Sequence, residues 1–394
     1  MNTVESAEKE ILSRLYKPDV HEVSLNHSLN RVLAEDVFAD RDFPPFNRVA
    51  MDGIAIQFES FNGGQRSFLV ESVQAAGSTK LSLKNPKNCV EVMTGAVLPE
   101  GCDCVIRYED VEIEGELAEV KLDTLRLRQN IHQQGSDLGA HALILEKFCI
   151  LRSAEIGILA TVGISKVKVL QPPKIAIIST GDELIEVDEI PLPHQIRKSN
   201  VLSLEAMLNN LKVSSQLFHL SDNKSLIKSA LQQIVKEFDT LLLSGAVSKG
   251  KFDFLPEILA ELDIEQHFHI VEQRPGKPFW FGSKEGLNVF AFPGNPVSTF
   301  VCAHRYLVPW LHASMQQPTA AEYAVLDANV TFKPPLTYFA QVSLSNKDGR
   351  LMAAPVAING SGDLAGLHKS DGFLELPATA QVFKKGEVFR LFRT

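Results

Sequence analysis

The sequence predicts a multidomain α/β protein in which a doubly wound, mostly parallel α/β domain is flanked by β-rich domains. Between Lys174 and Leu311, short continuous apolar runs alternate with amphipathic helical stretches, the pattern of buried parallel strands with helices on both faces. On either side, at residues 66–130 and again after about residue 318, short segments alternate apolar and polar residues between turn signals. At 394 residues the chain also exceeds a single compact core, so two to four domains are expected.

Taken in order, residues 4–16 read as a helix with Val4, Ile11 and Leu15 on one stripe. A Pro-punctuated extended stretch follows, ending in the apolar run Ile54–Ile56, and the β-rich segment turns at Gly77, Gly95 and Gly101. A helix is predicted at 152–162 and a strand at 166–170, and Pro172-Pro173 marks a boundary. The strand KIAIIST then opens the α/β pattern. Leu204, Met207, Leu208 and Leu211 mark a helix face, QLFHL a strand, KSLIKSALQQIVKEF a helix, DTLLLSG a strand, and Phe254–Leu262 a helix. Strands follow in EQHFHIVEQ, FWFG and NVFAF, and Pro296 sits near the first position of a helix. Hairpin turns are expected at 346–349 and 385–387.

Composition narrows the function classes. Hydrophobic residues at 45% and charged residues at 22% are ordinary for a globular protein. A net charge of −9 argues against a nucleic-acid binder but leaves room for a local cation cluster that takes a small anion. No apolar run is long enough to span a bilayer, so no membrane association is expected. Cys89, Cys102, Cys104, Cys149 and Cys302 are odd in number and never spaced C-x-x-C, which suits reduced thiols in the cytoplasm. His267 and His269 could share a strand face as a metal pair, but strand packing is the stronger reading.

Four motifs carry chemistry, and the first, second and fourth fall where strand ends meet loops. Thr180-Gly181-Asp182-Glu183 sets two carboxylates in a turn that could hold Mg²⁺, although a helix N-cap is locally the slightly better reading. Ser244–Asp253 nearly matches a phosphate-binding P-loop, but Phe252 stands where a Ser or Thr is needed; what remains is backbone N–H groups able to meet a phosphate. Arg274-Pro275-Gly276-Lys277-Pro278 holds two cations on a stiff turn suited to a tetrahedral oxyanion, with a plain hairpin turn as the alternative. Pro293-Gly294-Asn295-Pro296-Val297-Ser298 marks a strand-to-helix junction that could attract an anion or be only a tight turn.

In order, seven segments resemble the molybdopterin molybdenumtransferase (MoeA-like) family, which takes in the C-terminal domain of gephyrin. They are Ala50–Gly53, Met93–Ala96, Ser179–Leu184, Ile196–Asn200, Ser244–Gly250, Pro275–Pro278 and Pro293–Ser298. The resemblance implies an elongated, discontinuous domain from 1–45 and 140–171, and a β-rich domain at 46–139 carrying Asp52 and Thr94. It also implies a molybdopterin-binding-like α/β domain at 172–315, a C-terminal β domain at 318–394, and a homodimer with its active site at the subunit interface. The implied reaction takes adenylylated molybdopterin and molybdate, and yields the molybdenum-loaded cofactor and AMP with Mg²⁺. By resemblance, Asp52, Glu183 and Asp253 are catalytic, and these with Asp182 are the metal set. Substrate contacts fall on Thr94, Asp182, Asp222, Ser244, Gly245, Arg274, Lys277, Pro278, Pro293, Pro296 and Ser361.

The chain departs from the family pattern mainly among its charges. His132-Gln133-Gln134-Gly135-Ser136-Asp137 stands where the family has an Arg-rich stretch, Ala246 replaces a glycine, and Arg274 replaces a lysine. Ile270 occupies a commonly basic position, and the C-terminal domain's usual arginine is replaced within Pro335–Phe339. The alternative reading is therefore a catalytically weakened member that binds molybdopterin or serves as a scaffold.

Overall fold

The computed structural model describes residues 2–245, 254–317, 319–357 and 360–394. Its α/β domain grows from the apolar run that forms β1 (Ile175–Thr180), followed by α1 (Asn200–Asn210), β2 (Ser215–Leu220), α2 (Lys224–Glu237) and β3 (Thr240–Ser244). Then come α3 (Leu255–Glu261), β4 (Glu265–Ile270), β5 (Pro278–Lys284), β6 (Leu287–Phe292) and α4 (Pro296–Cys302). The strand order is β2-β1-β3-β6-β5-β4. The first four strands are parallel, and β5 and β4 continue the sheet antiparallel at one edge. Alternate residues of β1 face opposite cores: Ile175 and Ile177 pack with α1, while Ala176 and Ile178 pack with α2 and α3. Helices on both faces explain why these strands read as unbroken apolar runs. The order of strand addition reverses between β1 and β3, with β2 laid on one side of β1 and β3 on the other, which is the switch point at which open α/β sheets bind ligands.

By its contacts the chain divides into two compact units. The first comprises Met1–Ala34, Phe148–Ser153 and Lys166–Thr394; the second comprises Glu35–Lys147 and Ala154–Ser165. In the first unit the N-terminal helix is Val4–Leu12, capped by the Thr3 side chain, and buries Val4, Ala7 and Ile11 against the α/β core. It ends a turn earlier than the sequence suggests, which leaves Leu15 37% exposed rather than on the buried stripe. The C-terminal strands close into a five-stranded barrel: Thr337–Lys347 pairs with Arg350–Pro355 and also with Gly372–Leu376, which leads through Val388–Arg393 and Glu322–Leu326 back to Arg350–Pro355. Closure pairs each of these five strands on both sides over part of its length. The turn at Asp348-Gly349 is the expected hairpin. That at 385–387 is not, because the strands it joins pair with different partners.

The second unit is built on a six-stranded sheet in the order Cys104–Arg107, Gly53–Ile56, Cys89–Val92, Ser67–Gln74, Leu117–Val120, Val111–Glu114. Gly53 is required there, since a Cβ would lie 1.9 Å from the Ile106 carbonyl oxygen. Cys89, Cys102 and Cys104 are packed into this unit's cores, where burial pushes their thiols up to about 12, so they are inert neutral side chains. No described helix is long and apolar enough to cross a membrane.

Candidate active site

The carboxyl edge of the sheet gathers the loops after β1, β2 and β6 and the end of β3 at Ser244-Gly245. Asp182 and Asp222 accept hydrogen bonds from each other's backbone N–H, at 3.2 Å and 3.4 Å, and so tie the loops after β1 and β2 together. No helix starts at Asp182-Glu183, contrary to the local reading; the chain runs into Leu184–Ile185, which pairs in parallel with Ile196–Arg197. Asn200, the first residue of α1, donates through Nδ2 to Ser244 Oγ at 3.2 Å and to the Gly294 carbonyl at 2.8 Å. It therefore joins the ends of β3 and β6, and Gly245 N–H meets the Phe292 carbonyl at 3.4 Å. Lys198 is buried and paired with Glu186, whose carboxyl this hydrogen bond holds below the ordinary range. His219 accepts or donates at Ser179 Oγ, 3.0 Å away; burial, then the Lys198 charge, holds its pKa down.

Asp253, Lys251 and the rest of 246–253 lie outside the described residues. Among the described residues no three of His, Cys, Asp or Glu stand together as a metal-holding group. Mg²⁺ nonetheless suits this donor set: it prefers carboxylate oxygens and commonly uses only one or two of them, completing its shell with water and substrate phosphates.

A second feature lies between the α/β domain and the barrel, both within the first unit. The Arg274–Pro278 segment is not a hairpin. Gln273–Arg274 adds in parallel to Thr337–Tyr338 of the barrel, whereas Pro278 begins β5, so the turn crosses from one sheet to the other. The arginine's peptide bond to Pro275 is cis. The turn walls a cavity of about 680 Å³ together with Pro293, Asn295, Ser298, Lys333, Tyr338 and Ser361. Asn295 Nδ2 donates to Ser361 Oγ at 2.9 Å, and the Ser361 carbonyl accepts from Val297 N–H at 3.2 Å in the first turn of α4. Pro296 is the first residue of that helix and shapes the junction without lining the cavity. Arg274, Lys277 and Lys333 are exposed and form no ion pair among the described residues. Burial pushes the Tyr338 phenol up, against the opposing pull of the Arg274 charge, and its ring stacks on Phe332 at 4.4 Å.

Asp52 and Thr94 lie in the second unit and touch each other. Thr94 N–H donates to Asp52 Oδ1 at 2.5 Å, and its hydroxyl adds a second bond. These bonds hold the Asp52 carboxyl below its ordinary range, so it is an anion across the neutral region.

The structure thus brings Asp182, Glu183, Asp222, Ser244 and Gly245 to one sheet edge, and Arg274, Lys277, Pro278, Pro293 and Ser361 to one cavity. Sequence reasoning missed Asn200, although it lies in a quoted motif, and missed Gln273, Asn295, Lys333 and Tyr338. The Lys333 signal was available as a cation two residues before Pro335–Phe339, where an arginine was missed.

A doubly wound domain with its switch point lined by acids and amides, beside a cation-walled cavity, is the kind of arrangement in which open α/β sheets bind ligands. Comparisons with known proteins make this specific. Residues 2–163 match the model of the MoeA N-terminal region (domain I and II), residues 176–313 the "Probable molybdopterin binding domain", and residues 323–391 the MoeA C-terminal region (domain IV). A protein named molybdopterin molybdenumtransferase from Synechocystis sp. is 40% identical over 377 residues, covering 94% of each chain. One of the same name from Bacillus subtilis is 30% identical, covering 94% of this chain and 88% of its own. The crystal structure of the molybdopterin biosynthesis moeA protein from Pyrococcus horikoshii OT3 superposes with a TM-score of 0.85 at 28% identity, covering 100% of both chains. The chain belongs to the molybdopterin molybdenumtransferase family.

Proposed function

We propose that this chain inserts molybdenum from molybdate into adenylylated molybdopterin and releases AMP. The observation that carries this reading is the cavity of about 680 Å³ walled by Arg274, Lys277 and Lys333, cations without carboxylate partners among the described residues, with Ser361 held beside them. Unpaired cations and a hydroxyl suit a tetrahedral oxyanion, and the volume leaves room for the organic part of a substrate. The nucleotide end belongs at the sheet edge, where Asn200, Ser244 and Gly245 present polar groups at the switch point.

Asp182 and Glu183 at this sheet edge are the carboxylates that would hold Mg²⁺; the family resemblance adds Asp253, which lies outside the described residues, and Asp52, which belongs to the second unit. When bound, the ion neutralises charge on the pyrophosphate link. The chain's own residues bind and orient: Arg274, Lys277 and Lys333 hold molybdate, Ser361 fixes its rotation, and proximity to the pterin's sulfurs favours ligand exchange. An oxygen of water or of molybdate forms the new bond to phosphorus as the pyrophosphate link breaks and AMP leaves, so no protein nucleophile is needed. We also propose a cytoplasmic homodimer with the active site completed by the partner subunit, the arrangement the family resemblance implies; sedimentation equilibrium measures it.

The scaffold alternative rests on cations lost relative to the family, and Lys333 counts against it by supplying one from a different position. A crystal structure with molybdate, read by anomalous scattering, tests the site. Density for the metal beside Lys277 and Ser361 supports it, and an anion bound only elsewhere overturns it.

A further inference from the structure

The carbonyl oxygens of Pro275 and Gly276 each accept a hydrogen bond from Gln273 Nε2 at 3.2 Å. Gln273 is fully buried, and its Oε1 accepts from the Tyr306 hydroxyl, itself buried. Tyr306 lies in a π-helical turn, Ala303–Leu307, that follows α4, and its ring stacks on Phe279 at 4.9 Å. Gly276 takes φ +85°, and a Cβ there would lie 2.6 Å from Cys302 Sγ and 2.8 Å from Gln273 Nε2. The inner face of the turn is therefore filled, and a buried amide and a buried phenol are both committed to holding its carbonyls.

A trans peptide is planar, with its N–H opposite its C=O. With both carbonyls turned toward Gln273, the N–H groups of Gly276 and Lys277 point away from it. Neither donates to an acceptor among the described residues. Adjacent unpaired N–H groups form an anion-binding concavity, and here the exposed Arg274 and Lys277 side chains flank it.

We infer that Gln273 and Tyr306 are positioning residues that present the Gly276 and Lys277 amides as donors to a tetrahedral oxyanion in the cavity. Donors fixed before binding cost nothing to reorganise when the anion arrives. The inference rests on the oxyanion reading of the cavity, and the two can fail separately.

The test is molybdate binding to the full-length protein by titration calorimetry, with tungstate as a second probe. The double variant Gln273→Met/Tyr306→Phe removes the Gln273–Tyr306 bond but also leaves the Pro275 and Gly276 carbonyls without their donor, so it is expected to melt below the wild type. In its folded form it is expected to bind molybdate about tenfold more weakly, the loss of one charge-assisted hydrogen bond. Wild-type affinity in the folded double variant overturns the positioning role, because a purely structural pair would register only in the melt. Should that variant fail to fold, Tyr306→Phe alone decides by the same readout, since it keeps the ring packing. A wild-type protein that binds no molybdate overturns the oxyanion reading instead.

Discussion

Asp182 and Asp222 each hold the other's backbone: the carboxylate of each accepts the other's N–H, at 3.2 Å and 3.4 Å, across the ends of β1 and β2. The pair is therefore a loop tie as well as a candidate phosphate-and-metal face. Substitution separates the two roles. Asp182→Asn keeps an acceptor oxygen and should leave the melting temperature unchanged while raising the Mg²⁺ concentration needed for half-maximal AMP release. Asp182→Ala should also cost about 1 kcal/mol of stability. An unchanged Mg²⁺ dependence in Asp182→Asn would reduce that carboxylate to a tie alone.

The cavity cations give a split in kinetic constants. Lys277→Ala and Lys333→Ala should each raise the KM for molybdate about tenfold or more, the cost of a hydrogen bond to a charged group, with smaller effects on kcat. Lys333→Arg should retain most of the affinity, since charge is kept. If Lys333→Ala leaves KM alone, the cation is a bystander at the cavity rim.

Arg305 is only 1% exposed and bonds Glu8 of the N-terminal helix at 2.7 Å and Glu375 of the barrel at 2.8 Å. One buried guanidinium thus joins three parts of the first unit. Glu375→Ala leaves that charge short of a partner and is expected to cost about 3 kcal/mol in urea unfolding. A loss below about 1 kcal/mol would show that Glu8, although Arg390 also contacts it, satisfies Arg305 by itself.

His304 supplies a pH dependence. Burial holds its pKa down to about 4, opposed in part by its hydrogen bond at Arg393, against 6.5 when unfolded. The unfolded chain therefore binds the proton first, and stability present above pH 6.5 falls as pH drops toward about 4, by about 3 kcal/mol in all. Burial lowers His219, His267 and His312 as well, in the same direction. His304→Phe should flatten part of the slope between pH 6.5 and 4.5, measured by urea midpoints. An unchanged slope would assign the effect to the other histidines.

The fold class was legible because burial on both sheet faces leaves unbroken apolar runs such as Ile175–Ile178, and because Pro172-Pro173 and Pro296 punctuate real junctions. The barrel's closure was not, since pairing of Thr337–Lys347 with both Arg350–Pro355 and Gly372–Leu376 is non-local. The same limit hid the cavity. Arg274 and Lys277 announce a cationic turn in one dimension, but the crossing between two sheets, and with it Lys333, Tyr338 and the buried Gln273, appears only when Gln273–Arg274 adds to the barrel. Polar residues in buried positions read locally as surface residues, so Gln273 and Lys198 gave no sequence signal of their own.

The central claim is turnover, and its most direct measurement is AMP release from adenylylated molybdopterin by the purified protein with Mg²⁺, with and without molybdate. The account predicts release that depends on molybdate, saturates with it, and falls sharply in Glu183→Ala and Lys277→Ala variants that remain folded. Tight molybdopterin binding by well-folded protein with no molybdate-dependent AMP release would contradict it and leave the scaffold reading in its place.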